Sequence, residues 1–143
     1  MSTIKNILPL LLSALGVSLS FSQTKNMNIT LKGIEEIKGQ IVVLVFDNEE
    51  DFPKDQDLAK QFTFPVTKKE MVLSLQELPL QDCAVMLYHD KDKNNKCNQN
   101  FIGMPTEKIG FSNNIKPKLK APKFKEAKVE PDETQITIEL YKM

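Results

Sequence analysis

The stretch "GQIVVLVFD", residues 39–47, decides the fold of this chain. Its apolar run from Ile41 to Phe46 is rich in β-branched side chains, which favour strands. A run without polar alternation is typical of a strand that is covered on both faces. The segment "DCAVMLYHD", residues 82–90, has the same character. We therefore predict two central strands, each buried on both sides.

Outward from this pair, other apolar segments alternate with polar residues at period two, which is the pattern of strands with one buried face. They are "MNITLKG" (27–33), "KQFTFPV" (60–66), "EMVLSLQEL" (70–78) and "TQITIELYK" (134–142), with a weaker strand around Phe124 in "KFKEAKVE" (123–130). Seven short strands separated by turn signals are typical of a sandwich. The sequence therefore predicts an all-β, seven-stranded β-sandwich.

The N-terminus has the composition of a secretory signal. A short basic region precedes an apolar run, residues 7–21, and small residues stand two apart at Ser20 and Ser22, as signal peptidases prefer. The run is short for a bilayer span, and no basic cluster follows it. We expect cleavage after Ser22, which gives a signal peptide of residues 1–22 and a secreted or periplasmic domain of residues 23–143.

The composition weighs against two classes of partner. All 19 basic residues are lysine, and 19 acidic residues balance them. The absence of arginine weighs against nucleic acid, whose readout relies on bidentate guanidinium contacts. No segment after the signal is apolar enough to span a membrane.

In an oxidising compartment a disulfide between Cys83 and Cys97 is permitted, and two separate thiols are the alternative.

Between Lys91 and about Ala121 the sequence contains no good strand, and ordered loops of this length are usually functional. The segment nevertheless carries five apolar residues: Phe101, Ile102, Met104, Ile109 and Phe111. We predict one long ordered loop that folds over a sheet and buries these side chains. That loop would provide the cover that the second face of the central strands needs.

The first part of this loop, "HDKDKNNKCNQNFIG" (89–103), spaces oxygen-bearing groups as a calcium loop does. With Asp90 as position one, the oxygens fall at positions one, three, five, seven and nine of an EF-hand loop. The predicted ligands are the side chains of Asp90, Asp92, Asn94 and Asn98 and the main-chain carbonyl of Lys96. Position six is Asn95 rather than glycine, and position twelve is Phe101 rather than glutamate. An Asx-rich turn without an ion is therefore the alternative.

His89 is the single histidine of the chain, and it stands next to Asp90. Such a pair can provide a base for hydrolysis, with Glu107 as a further partner. No serine, cysteine or threonine is marked as its nucleophile, and one histidine gives no zinc spacing. We therefore favour a structural role, in which His89 bonds to loop backbone.

The order of these segments resembles the bacterial DUF2141 domain, whose function is uncharacterised. The matching stretches are "KGQIVVLVFDNEEDFP" (38–53), "LPLQDCAVMLYHDKDKNNKCNQNFIGMPTEKIGFSNN" (78–114), "APKFKEA" (121–127) and "TQITIEL" (134–140). The resemblance implies secretion and an immunoglobulin-like or transthyretin-like β-sandwich. It also implies one shared constellation: His89, Asp90, Asn94, Asn98, Asn100, Gly103, Pro105, Glu107, Gly110, Phe111, Ser112, Asn113 and Asn114. No activity comes with the family.

Together these features predict a secreted β-sandwich module without catalysis. Its loop, residues 90–114, would bind Ca²⁺ and present a surface for a glycan, a peptide or another envelope protein. The segment Ser112 to Asn114 would tie the far end of the loop to the sheet. The alternatives are an envelope hydrolase that uses His89 and Asp90, and a purely structural loop that binds no ligand.

Overall fold

The computed structural model describes residues 16–143, and strands dominate its regular structure. The eight strands are β1 (Thr24–Lys32), β2 (Gln40–Phe46), β3 (Lys60–Pro65), β4 (Met71–Pro79), β5 (Cys83–Asp90), β6 (Ile109–Phe111), β7 (Lys128–Val129) and β8 (Gln135–Glu139). The helical elements of this range are two 3₁₀ turns and one turn of α-helix, α1: Gln56–Leu58, Ser112–Asn114 and Phe124–Ala127. The all-β prediction is confirmed. Most of the predicted signal peptide lies outside the described residues.

The strands form two sheets, one on each side of a β-sandwich. The smaller sheet has the order β4-β1-β8, in which β1 is antiparallel to β4 and parallel to β8. The larger sheet has the order β3-β2-β5-β6, and β7 pairs with β5 beyond the end of β6. The two predicted central strands, β2 and β5, are antiparallel neighbours inside this larger sheet. In the part of the chain that the structure describes, no helix is long and apolar enough to cross a membrane.

The main core lies between the two sheets, and the period-two pattern explains it. Alternate residues of each strand point inward, where their apolar side chains are removed from water. The inward residues include Met27, Ile29 and Leu31 of β1, Ile41, Val43 and Val45 of β2, Leu73 and Leu75 of β4, Val85 and Leu87 of β5, and Ile138 of β8.

A second cluster covers the outer face of the larger sheet, as the two unbroken apolar runs predict. Phe52 is at its centre and makes edge-on ring contacts with Phe46, Phe111 and Phe124, at centroid distances of 5.4, 6.1 and 6.0 Å. Cys97 from the long loop joins this cluster. Both faces of β2 and β5 are therefore buried.

The structure corrects the sequence analysis on three points. The described residues form eight strands rather than the predicted seven, because β6 forms inside the long loop that was predicted to contain no strand. Phe101 and Ile102 do not pack on the sheet but are 100% and 68% exposed, whereas Ile109 and Phe111 are buried in β6. The predicted strand around Phe124 is the helical turn α1, in which the Lys123 amide donates to a Glu126 carboxylate oxygen at 2.7 Å. Within that segment only Lys128 and Val129, which form β7, are a strand.

Candidate functional site

The end of β5 places His89 and Asp90 on opposite faces of the larger sheet, as the alternation of a strand requires. His89 follows Val85 and Leu87 on the inner face, where its side chain is fully buried. Its Nε2 lies 2.7 Å from the carbonyl oxygen of Lys38. The structure therefore does not bring the His89 ring and the Asp90 carboxylate together as a catalytic pair.

Asp90 is a fully buried hydrogen-bond acceptor that organises the turn after β5. Its Oδ1 accepts from the Asn94 amide at 3.2 Å, and its Oδ2 accepts from the Asn95 amide at 2.9 Å and from Gln40 Nε2 at 2.8 Å. Lys93 and Asn95 adopt left-handed conformations, with φ of 57° and 59°. Asp92 and Asn94 each accept from the amide two residues ahead, which is the bond of an Asx turn, whereas the Asp90 bonds reach four and five residues ahead.

A second strand brings a third carboxylate to this turn. Ile109 of β6 is paired with Tyr88 of β5, so the antiparallel register places Glu107 opposite Asp90. One carboxylate oxygen from each of Asp90, Asp92 and Glu107 lies within 4.8 Å of the others. The spacing of the turn identifies the first two of these residues. Glu107 was predicted as a member of the family constellation and as a partner of His89, but no local spacing shows that it approaches this turn, because the approach depends on strand pairing.

Asn98 is hydrogen-bonded to two of the three carboxylates. Its main-chain amide donates to Glu107 Oε2 at 3.3 Å, and its Nδ2 donates to Asp92 Oδ2 at 3.0 Å. Asn94 donates through Nδ2 to Asn98 Oδ1 at 2.7 Å, and its own oxygen accepts from the Lys96 amide at 2.9 Å. The predicted ligands thus occupy one connected turn, although the amide oxygens of Asn94 and Asn98 already accept hydrogen bonds within it.

The charges of this cluster are not neutralised by basic side chains. Among the described residues, no ion pair involves Asp90, Asp92 or Glu107. Glu107 is only 8% exposed, and desolvation raises its pKa, with a further rise from the Asp90 charge against the opposing effect of the Asn98 amide. Asp92 is exposed, and the hydrogen bond from Asn98 lowers its pKa.

The Tyr88 hydroxyl lies near the same cluster and has no hydrogen-bond partner in the described part of the chain. Burial raises the pKa of Tyr88, and the negative charge of Asp90 raises it further. A buried hydroxyl without a partner is unusual in folded proteins. It is a feature of the site that the sequence analysis did not identify.

The far half of the constellation, Gly110 to Asn114, fastens the loop to the rest of the sandwich. Ser112 Oγ accepts from the Val85 amide at 3.0 Å and donates to the Ala127 carbonyl. Asn113 Nδ2 donates to the carbonyls of Glu126 and Lys128, both at 3.0 Å. Asn114 bonds to β8 through both ends of its side-chain amide. The predicted tie between Ser112–Asn114 and the sheet is confirmed.

The middle of the constellation forms the tip of the loop. Asn100 Oδ1 accepts from the amides of Ile102 and Met104, each at 3.0 Å, and Gly103 has a φ of 81°. Pro105 forms an isolated bridge with Gln99 across the turn. These contacts hold Phe101 and Ile102 at the apex, which explains why the two side chains do not reach the sheet.

The two cysteines are free thiols, so the disulfide that the sequence permitted is not formed. Cys83 packs in the core between the sheets, whereas Cys97 packs in the cluster on the outer face. The larger sheet separates the two sulfur atoms. The alternative of two separate thiols is the one that the structure adopts.

The fold and the site define a class: a β-sandwich whose long loop carries a partly buried, hydrogen-bonded group of acidic and amide side chains. Residues 29–139 match the family model described as "Uncharacterized protein conserved in bacteria (DUF2141)", and the chain belongs to this family. No curated protein and no solved structure gave a significant match.

Proposed function

We propose that this chain is a secreted or periplasmic β-sandwich module without catalysis, whose loop of residues 90–114 binds Ca²⁺. The loop would then present a surface to an extracytoplasmic glycan, peptide or envelope protein. The observation that carries the cation proposal is the group of three carboxylates within 4.8 Å, two of them buried. Like charges that share a desolvated site repel one another, and a divalent cation removes that repulsion.

The donor set suits a hard cation. Ca²⁺ takes six to eight oxygen ligands, from carboxylates, amides, main-chain carbonyls and water. Asp90, Asp92 and Glu107 supply carboxylates, and the oxygens of Asn94 and Asn98 lie in the same turn. Thiolate or imidazole ligands would favour zinc or copper instead, and the three clustered side chains include neither.

The test is the thermal stability of the domain in EDTA and in 5 mM Ca²⁺, with NaCl added to equal ionic strength. Sites in extracellular modules have dissociation constants of about 10⁻⁴ to 10⁻³ M. With a constant near ~0.5 mM, 5 mM Ca²⁺ stabilises the folded state by ~1.4 kcal/mol. For a domain of this size the midpoint should rise by about 5 °C.

Two matched variants make the test specific. Asp92→Asn removes one exposed charge of the cluster and should abolish most of the rise in the midpoint. Glu70→Gln removes one exposed charge from the connection between β3 and β4, and its response should equal that of the wild type. Superimposable melts of the wild type in EDTA and Ca²⁺ would reject the cation and leave the purely structural loop.

The non-catalytic part of the proposal rests on His89. A general base needs access to the proton that it removes. The His89 ring is fully buried and lies against a main-chain carbonyl, on the face of the sheet opposite Asp90. No observation on the described residues favours the hydrolase, so we propose no reaction.

A further inference from the structure

Two loops that line one groove on the outer face of the larger sheet expose large apolar side chains. Phe101 and Ile102 form the apex of one, and Leu119, which is 89% exposed, lies on the other. The loops face each other across a groove of about 260 Å³, lined by Gly103, Met104 and Pro105 on one side and by Pro117, Leu119 and Lys120 on the other. We call these side chains the apolar tips: Phe101 and Ile102 form the first tip, and Leu119 forms the second.

The exposure of the first tip is imposed by a defined turn. Asn100 accepts two main-chain hydrogen bonds through its side chain, and its own amide donates to the Met104 carbonyl at 2.9 Å. The Thr106 amide donates to the Asn98 carbonyl at 2.8 Å and closes the base of the turn. The exposure of the Phe101 ring to water is unfavourable in the free protein. A partner that covers the ring removes this apolar surface from water, which favours binding.

Basic charge flanks the second tip, Leu119. The segment "IKPKLKAPKFK", residues 115–125, carries five lysines and no acidic residue. Lys116 pairs with Glu139 at 3.2 Å, while Lys118, Lys120, Lys123 and Lys125 form no ion pair with any described residue. All five side chains are exposed. The second tip, Leu119, therefore stands directly between two unpaired lysines.

From this juxtaposition we propose that the tips and their lysines form a docking surface for an anionic lipid bilayer. Phe101 and Leu119 are 100% and 89% exposed, so their side chains are free to insert between lipid headgroups. The unpaired lysines complement lipid phosphates, and each adds about 1 kcal/mol near an anionic membrane. Long lysine side chains also keep their ammonium groups at the headgroup level while their stems lie along apolar surface.

The test is co-sedimentation of the mature chain, from Gln23, with vesicles of phosphatidylcholine alone or with 30% phosphatidylglycerol. This form contains every described strand and lacks the apolar residues of the leader. Measurement in EDTA keeps the result independent of Ca²⁺, because Asn100 rather than the carboxylates holds the first tip. We expect binding to the anionic vesicles alone, with an apparent affinity that falls as NaCl is added.

Matched variants separate the surface from general stickiness. Phe101→Ala should weaken binding at least tenfold, because it removes the large apolar side chain that the bilayer would bury. Val72→Ala, at a residue that is 62% exposed on the outer face of the smaller sheet, should change nothing. Lys118→Gln with Lys120→Gln should weaken binding at least tenfold, while Lys68→Gln with Lys69→Gln should not.

Several results would overturn the proposal. One is that the wild type does not bind anionic vesicles. Another is that neither Phe101→Ala nor the double variant Lys118→Gln with Lys120→Gln changes the binding. Equally tight binding to soluble polyglutamate, lost in the same variants, would reassign the surface to a soluble polyanion. A Phe101-dependent dimer in sedimentation equilibrium without vesicles would assign it to a second copy of this chain.

Discussion

Gly39 offers a sharp test of the packing that supports the site. It has a φ of 69° at the start of β2, and a methyl group there would overlap the Asp90 carbonyl oxygen. The same methyl would lie 2.6 Å from Lys91 Cα and 2.9 Å from the Lys91 carbonyl oxygen. These neighbours are backbone atoms of the turn that carries the carboxylates, so they cannot rotate away as a side chain would.

Two terms determine the expected loss in Gly39→Ala. The left-handed conformation costs a residue with a Cβ about 1–2 kcal/mol. Overpacking against well-packed neighbours adds about 1–3 kcal/mol. We therefore expect the free energy of unfolding to fall by about 2–5 kcal/mol, which is a large share of the stability of a typical domain.

Gly103→Ala is the matched control, because Gly103 has a φ of 81° and no atom within 4 Å of the added methyl. It should lose only the conformational term, about 1–2 kcal/mol. The chain has no tryptophan, so urea unfolding is best followed by far-ultraviolet circular dichroism. Equal losses in the two variants would refute the argument that Gly39 is required by the close approach of Asp90 and Lys91.

Four further outcomes follow from particular contacts. Asn114→Ala loses hydrogen bonds of 3.0 and 2.9 Å to β8 and should lower the free energy of unfolding by about 1–2 kcal/mol in urea. Tyr88→Phe removes a buried hydroxyl without a partner, so stability in EDTA should stay equal or rise by about 1 kcal/mol, and a clear loss would show that the hydroxyl is bonded. Burial raises the pKa of Cys83, and it raises the pKa of Cys97 to about 12, so Ellman's reagent at pH 8 should modify no thiol in the native protein and two after unfolding. The raised pKa of Glu107 means that its carboxyl proton is bound more tightly in the native state than in the unfolded state. In EDTA the contribution of Glu107 to the free energy of unfolding should therefore fall as pH rises above 4.5. The difference in this free energy between the wild type and Glu107→Gln should vary with pH rather than stay constant.

The sandwich itself could be predicted because the burial of a strand determines the spacing of its apolar residues in the sequence. Residues that alternate in β1, β4 and β8 face the core and the solvent in turn, and the unbroken runs of β2 and β5 are covered on both faces. The strand β6 could not be predicted in this way. It has three residues with a glycine at its centre, and it exists because its backbone pairs with β5.

Local spacing predicted one part of the site and missed another. Asp90, Asp92 and Asn98 lie close together in one turn because they are close together in the sequence of one loop. Glu107 enters through an antiparallel register that no local pattern encodes. The error at Phe101 has the opposite cause, since its apolar character gave no sign that a side-chain turn at Asn100 would hold it away from the sheet.

The structure divides the family constellation into residues that the fold explains and residues that it does not. Ser112, Asn113 and Asn114 have their polar atoms bonded to backbone carbonyls or amides of the sandwich, and each is accounted for by stability. Asp90 is also accounted for by the amides that it accepts from, but Glu107 is different. A turn that needed only acceptors for amide hydrogens could use neutral side chains, as it does at Asn94. At Glu107 the carboxylate places negative charge at the edge of an apolar cluster, where desolvation makes that charge costly. The cation that we propose for this loop would offset that cost at Glu107.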